Sequence, residues 1–495
     1  LIDTSHGRVP DLDGIGTIQL LGSIAMDSLR ISAGVDSYPR LGDRVYAAPH
    51  SFIANLPKFM EAAEAEASHV LLKLGSIDVA PESYVSVKPE KLFGRHCAIL
   101  GATGGGKSWT TARIIEECVR YKTKIILLDA TGEYRGFDGE HVANFHLGAP
   151  VNTAKSSAPC TLPQTSFIES DFIALFEPAG KVQGPKLRAA IRSLRLAALA
   201  PHVATGGIIK KIDQSKVPIM TEEAKAGIAE KLDDPQQAFD VWKLVSQIEQ
   251  ECVYPDGFGS ARGQKDFTKW GGDSGEVSFC LSLMSRINGI LSSSSFECVF
   301  KSKAPALTEK ISSFVSNEDR LLRICLSGVA FEFKAREIVA NVIGRHLLNM
   351  ARNGAFKSRP VVVIVDEAHN FLGRQIGADD AVARLDAFEL IAKEGRKYGL
   401  NICLSTQRPR DITEGVLSQM GTLVVHRLTN DRDREVVERA CGEVDRSASS
   451  FLPNLKPGEA AIIGADFPIP LTIQVFPPSA KPLSDGPNYQ TNWKV

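Results

Sequence analysis

One stretch, residues 97–120 (CAILGATGGGKSWTTARIIEECVR), constrains the fold more than any other. Its centre, Gly101-Ala-Thr-Gly-Gly-Gly-Lys107-Ser108, matches GxxxxGK[ST]. The apolar run 97–100 before it suits a buried parallel strand. After it, Ala112, Ile115 and Val119 share one helical face, with Glu116, Glu117 and Arg120 near the other. Strand, glycine loop, helix is the context in which such a loop cradles phosphate. Glycines let successive N–H groups turn inward with no Cβ in the way, and the start of the helix adds its positive dipole end. On this reading Gly104, Gly105 and Gly106 wrap the phosphates of a triphosphate, Lys107 reaches its β- and γ-phosphates, and Ser108 offers its hydroxyl to Mg²⁺.

A matching acidic half stands far downstream. The run 361–365 (VVVIV) ends in Asp366-Glu367. Charges at a strand tip are costly unless a metal and a nucleotide use them. Asp366 is therefore expected to hold Mg²⁺, and Glu367 to orient and deprotonate an attacking water. One strand later comes Ser405-Thr-Gln407-Arg-Pro. There Gln407 either senses the γ-phosphate or the water, or caps the strand. Arg396 in KEGRKYG and Arg427 in HRLTN are each a candidate finger for a neighbour's site or an ordinary surface arginine. Asp129 and Glu133, in LLDATGEY, either face the nucleotide and its water or stabilise a strand-end turn.

With 495 residues the chain exceeds one ordinary core, so two or three domains are expected. Its net charge of −1 announces no nucleic acid, yet a ring can concentrate positive charge on a pore while its outside stays neutral. The nine cysteines are scattered, without CxxC or a Cys/His cluster, which argues against a disulfide framework or a zinc site. They read as small buried residues in a reducing compartment. No apolar run reaches the ~18 residues of a membrane span, and LIDTSHGRVP has no signal-peptide architecture. The expected location is cytoplasmic.

In chain order, residues 1–90 read as short strands around a helical 58–68: a small β-barrel for assembly or docking. Residues 91–150 open an α/β domain with strands at 97–100 and 125–129. Residues 151–320 read as a helical insertion, with a loop rich in Gly and charge at 255–275. Residues 321–460 return to α/β alternation, with strands at 322–326, 360–365, 401–405 and 422–425 and helices at 335–351, 379–398 and 433–441. The tail 461–495 is extended and Pro-rich, which a packed helix does not tolerate.

Taken together, GATGGGKS, LLDATGEY, VVVIVDEAHNFL, KEGRKYGLNICLSTQRP and HRLTNDRDREVVERA resemble the HerA branch of the HerA/FtsK ATPases. The resemblance covers most of the chain and is weakest at 200–320. It implies an α/β fold: a RecA-like P-loop ATPase core (91–150 and 321–460) with a helical insertion, preceded by a β-barrel. It also implies a homohexamer that hydrolyses ATP with Mg²⁺ at subunit interfaces and moves double-stranded DNA through its pore. Such rings work beside a nuclease or another effector docked on the barrel, in DNA end processing or anti-phage defence. Carried over residue by residue, the nucleotide contacts are Arg95, Gly104, Gly105, Gly106, Lys107, Ser108 and Trp109. Ser108 and Asp366 serve the metal, Glu367 the water and Gln407 the sensor role. Arg396 is favoured over Arg427 as the trans finger, and the tail near 465–469 resembles a brace that reaches a neighbouring subunit. Where relatives often have Pro-His or Pro-Asn after the residue matching Asp129, this chain has Ala130-Thr131. The competing expectations are an ATP-regulated scaffold that activates an effector without acting as a motor, and a conjugation or secretion ATPase of the same superfamily.

Overall fold

The apolar runs that mark the phosphate loop and the acidic pair become neighbouring strands of one large sheet. The structure, a computed structural model, describes residues 70–257 except 78–79, 265–440 except 373 and 377–382, and 451–483 except 465–466, with parts of 20–56 and residue 493. The described strands are β1 (Gly22–Ala25), β2 (Arg30–Ala33), β3 (Leu72–Ile77), β4 (Ala80–Val87), β5 (Cys97–Leu100), β6 (Lys124–Asp129), β7 (Val142–His146), β8 (Ala158–Pro159), β9 (Leu321–Cys325), β10 (Val361–Val365), β11 (Arg374–Ile376), β12 (Ala383–Leu385), β13 (Leu400–Thr406), β14 (Thr422–Val425), β15 (Glu459–Gly464) and β16 (Phe467–Val475). Twelve of them make one sheet in the order β4-β3-β16-β15-β14-β5-β13-β10-β6-β9-β7-β8. From β14 to β8 every pairing is parallel. The other four strands extend the sheet antiparallel.

Two apolar layers sandwich the parallel strands, because alternate residues of a strand point to opposite faces. Ala98, Leu100, Ile126 and Leu128 face one core, with helices α2 (Glu169–Phe176), α3 (Gly180–Leu199), α4 (Val277–Ser292) and α5 (Ala335–Arg352). Cys97, Ile99, Ile125 and Leu127 face the other, against Ala112 and Ile115 of the helix that follows the glycine loop, Lys107–Val119. Burial on both faces is why these strands read as unbroken apolar runs. The segment 151–320 is mainly helical, apart from β8.

The strand order sets the function. β13 lies between β5 and β10, with Thr406 level with Leu100 and Val365 level with Leu404. The residues that follow β5, β10 and β13 therefore emerge together at the carboxyl edge of the sheet, where ligand sites of open α/β sheets lie.

Several expectations need correction. β3 and β4, assigned from sequence to a separate barrel, continue the main sheet: Ser76 and Gly75 pair with Gln474 and Val475 of β16. Gly75 permits this approach, since a Cβ there would stand 2.3 Å from the Gln474 carbonyl oxygen. The hairpin β1–β2 is separate from that sheet, and the helix expected at 58–68 lies outside the described residues. The helix expected from 379 begins only at Ala387, as α6 (Ala387–Glu394), because β12 first pairs antiparallel with β11 and buries Ala383 and Leu385. The tail expected to be extended forms β16 over 467–475, paired with β15 and β3.

The tip of β6 is held by a buried ion pair. Arg323 of β9, fully buried, donates from Nε to Asp129 Oδ2 at 2.8 Å. Asp129 also accepts from the N–H groups of Gly132 (2.7 Å) and Tyr134 (3.1 Å). Asp129 thus stabilises the turn, one of its two expected roles. We predict that Arg323→Met, which strands a buried carboxylate, lowers the unfolding free energy by about 3–5 kcal/mol, and that adding Asp129→Asn recovers part of it. Urea denaturation measures both, and an unchanged midpoint for Arg323→Met contradicts the assignment.

Candidate nucleotide-binding site

Residues 101–106 carry the chain from β5 into helix α1 (Lys107–Val119). Gly104 and Gly106 have φ of +76° and +115°, a region that favours glycine. A Cβ at Gly101 would stand 2.6 Å from the His426 Cβ. The loop is clamped from outside as well. Ala102 N–H donates to the Arg427 carbonyl at 3.0 Å, and Gly458 N–H donates to the Gly105 carbonyl at 3.2 Å. His426, buried beneath the loop, bonds through Nδ1 to the Glu459 carbonyl at 2.7 Å and through Nε2 to Thr110 Oγ1 at 2.8 Å. The carbonyl assigns the proton to Nδ1, so Nε2 accepts from the threonine. Burial lowers the pKa of this imidazole to about 4, keeping it neutral.

The charged centre is compact. Lys107 Nζ lies 3.4 Å from Asp366 Oδ1, 3.3 Å from Glu367 Oε1 and 3.2 Å from Ser405 Oγ. Burial alone would lower its pKa, but the Asp366, Glu367 and Glu133 carboxylates outweigh burial and hold the ammonium above its ordinary value. Ser405 donates to Asp366 Oδ1 at 3.1 Å, and the Tyr134 hydroxyl donates to the same oxygen at 3.4 Å. Asp366 Oδ2 is buried without a partner. Glu367, with φ +49°, receives Gln407 Nε2 on Oε1 at 2.7 Å, while His369 Nδ1 stands 3.3 Å from its Oε2. Thr103 of the loop donates to Gln407 Oε1 at 2.6 Å. The loop, the middle strand and the acidic strand are thereby wired into one network.

A cavity of about 450 Å³ opens beside this centre, bounded by the glycine loop, Lys107, Ser108, Trp109, Gln407 and the segment 474–477. Trp109 is 38% exposed, with Lys481 Nζ 5.9 Å from its ring centroid. Lys107, Ser108, Asp366, Glu367 and Gln407 thus converge as expected. Arg95 does not. It precedes β5 at the opposite end of the strand, exposed and roughly 20 Å along the chain from the loop. Standing near a motif in sequence does not put a residue at the same end of a strand. Arg396 lies in the turn Gly395–Tyr398 before β13, again at the far edge from its own chain's centre, and is exposed. Arg427 sits beside its own loop, bound there through its backbone, with its side chain exposed.

Ser405, Tyr134, His369 and the 457–458 and 474–477 walls were not singled out by sequence reasoning. Ser405 carried a usable signal: it stands two residues before Gln407, on the same side of β13. The walls carried none, because only the β15–β16 hairpin brings them back. The donor set fits Mg²⁺, a hard cation that prefers oxygen: the Ser108 hydroxyl lines the cavity and the Asp366 Oδ2 has no protein partner.

Comparison with known proteins accords with this geometry. Residues 72–243 match the family model described as the central domain of helicase HerA. A probable helicase of Methanocaldococcus jannaschii is 22% identical over 466 residues, 93% of this chain and 79% of that protein. The DNA double-strand break repair helicase HerA of Saccharolobus solfataricus is 23% identical over 404 residues, 81% of this chain and 68% of that protein. Among solved structures, the bacterial conjugative coupling protein TrwB aligns with a TM-score of 0.48 and 14% identity, over 87% of this chain and 94% of that one. Sheet and loop define a P-loop ATPase with a RecA-like core. Within that class, the family match and the relatives support a HerA-type ATPase of the HerA/FtsK superfamily.

His426 yields a pH prediction. Its folded pKa, about 4, lies below the ordinary imidazole value of 6.5. In that window the unfolded chain binds a proton that the folded chain does not, so stability falls as pH drops from 6.5 toward 4. We predict that His426→Asn flattens the plot of unfolding free energy against pH by up to about 1.4 kcal/mol per pH unit in that window. Denaturation curves between pH 4.5 and 7 measure it, and an unchanged slope refutes it.

Proposed function

We propose that this chain is a ring-forming ATPase that hydrolyses ATP at subunit interfaces and uses the cycle to translocate double-stranded DNA. In this reading six copies form the ring. A nuclease or other effector docks on an N-terminal barrel ahead of the ATPase sheet, for DNA end processing or anti-phage defence. The observation that carries the proposal is the convergence of Lys107, Asp366, Glu367, Ser405 and Gln407 at adjacent strand tips beside the glycine loop. Relatives named as DNA double-strand break repair helicases support the DNA substrate. No described helix is long and apolar enough to cross a membrane.

The roles follow from the contacts. The loop N–H groups and Lys107 bind the β- and γ-phosphates. Mg²⁺, held by Ser108 and Asp366, would neutralise phosphate charge. Glu367 orients the attacking water and takes its proton. Gln407 fixes the Glu367 carboxylate and is itself fixed by Thr103, so a γ-phosphate against the loop is felt at the base. An arginine from the adjacent copy, Arg396 in the favoured assignment, completes the site in trans.

One observation favours the scaffold reading as a second possibility. Arg113, on the helix after the loop, donates to the Lys73 carbonyl from Nε (3.0 Å) and Nη2 (2.9 Å), while Glu117 accepts from Lys73 N–H at 2.9 Å. The nucleotide-binding helix is thus tied to β3, and through it to the region where an effector would dock.

We predict ATPase activity stimulated by double-stranded DNA. Glu367→Gln should lower turnover by about 10²–10⁴-fold with ATP binding retained, and Lys107→Ala should lose binding. Arg396→Ala should cost about 10³-fold or more, and mixing it with Glu367→Gln should restore part of the activity, because each supplies the half-site the other lacks. Activity indifferent to DNA would remove the motor and leave the scaffold. Full turnover by an isolated subunit would remove the shared site.

A further inference from the structure

The cavity beside the charged centre has two chemically different parts, and the roles above use only one. Of the residues that bound it, Lys107 alone is charged, next to the glycine loop. The rest of the lining is neutral and mostly apolar: Trp109, Pro457, Phe476 and Pro477, together with the Gln474 side chain. Its volume, about 450 Å³, falls within the ~300–1,000 Å³ of pockets that enclose a whole small ligand. The neutral wall is held in place. Val475 N–H donates to the Gly458 carbonyl at 3.0 Å, and Phe476 N–H donates to the Leu74 carbonyl at 2.9 Å. The Phe476 ring meets Tyr84 edge-on, 5.8 Å between centroids. Gly458 (φ +82°) leaves room for the Gln474 amide, since a Cβ there would stand 2.7 Å from Nε2. Among the described residues that amide has no hydrogen-bond partner, although it lines the cavity.

A nucleotide whose phosphates sit on the loop and Lys107 leaves its base for the neutral part of the cavity. We propose that Trp109, Gln474, Phe476 and Pro477 form a purine subsite. The base stacks on the Trp109 indole against the apolar wall, and the Gln474 amide bonds its edge. An aromatic face gains from stacking whatever the base. The amide adds selection, because it sets an N–H donor beside a carbonyl acceptor. Adenine offers the complementary pair, an exocyclic amine beside a ring nitrogen. The proposal rests on the nucleotide-site reading above and deepens it: of these four residues the sequence motifs reach only Trp109, and Gln474 enters from the far end of the chain on β16.

The test compares ATP with inorganic tripolyphosphate, which has the phosphates but no base. Binding of each to the full chain is measured by calorimetry with Mg²⁺, in the Glu367→Gln background so that ATP persists. The parent should bind ATP at least about 10-fold more tightly than tripolyphosphate. Trp109→Ala and Gln474→Ala should each weaken ATP by about 10-fold, with tripolyphosphate held to within about twofold of the parent. Equal affinity of the parent for ATP and tripolyphosphate overturns the subsite and needs no variant to show it. Unchanged ATP affinity in both variants also overturns it. So does a matching loss of tripolyphosphate affinity, which would make these residues mere supports of the loop. If the parent binds neither ligand, the nucleotide-site reading itself fails and the subsite falls with it.

Discussion

The Lys107 ammonium, buried among Asp366, Glu367 and Ser405, is the interaction on which the rest of the structure depends. A lone ammonium at this depth would be far too costly, and so would two adjacent carboxylates. Each sign makes the other tolerable. None of these groups is close to another in sequence except the acidic pair. What brings them together is the parallel order β5-β13-β10, with registers that align the three tips. Burial of both sheet faces therefore has a purpose beyond stability, since it fixes three separate chain segments to the accuracy of a hydrogen bond.

How much of this was legible in the sequence depended on range. The glycine loop, the acidic pair and Gln407 were readable because each is a local pattern: an apolar run followed by a residue type whose chemistry needs a strand tip. Arg95 stands away from its own chain's loop for the converse reason, since proximity along the chain says nothing about the direction of the strand between. β3 and β4 read correctly as strands, but β3 joins β16, about four hundred residues downstream. Short alternating strands look alike whether they close a barrel or extend a sheet, so composition had no means of choosing. The wall of the cavity at 474–477 was hidden in the same way. Asp129 and Glu133 were left with two readings each; the ion pair across β6 and β9 assigns Asp129 to the turn.

The helix Lys107–Val119 is where these long-range links meet. Its first turn carries Lys107, Ser108 and Trp109. Its last turns grip β3 through Arg113 and Glu117, and Glu116 accepts from Ser479 N–H at 2.9 Å and from Ser479 Oγ at 2.6 Å. The chain then runs on to Leu483, whose N–H binds the Glu133 carbonyl. The segment 479–483 thus runs from this helix to the turn after β6. Phosphate binding at one end of this helix is thereby linked by direct hydrogen bonds to β3 and to the segment around Ser479.

Glu367 shows what this rigidity is for. Its φ of +49° and ψ of +44° are left-handed, a region that costs a non-glycine residue roughly 1–2 kcal/mol. A chain selected for stability alone would place glycine or asparagine there. The strained conformation turns the peptide sharply at the end of β10, so that both carboxylates reach Lys107 while their other partners differ: Ser405 and Tyr134 for Asp366, Gln407 and His369 for Glu367. In a relaxed strand, alternation would send successive side chains to opposite faces, and the two could not both address one phosphate. Strain at this residue is therefore the local cost of aiming two adjacent carboxylates at a single reaction, and the hydrogen bond from Gln407 and the packing of β10 between β6 and β13 offset it.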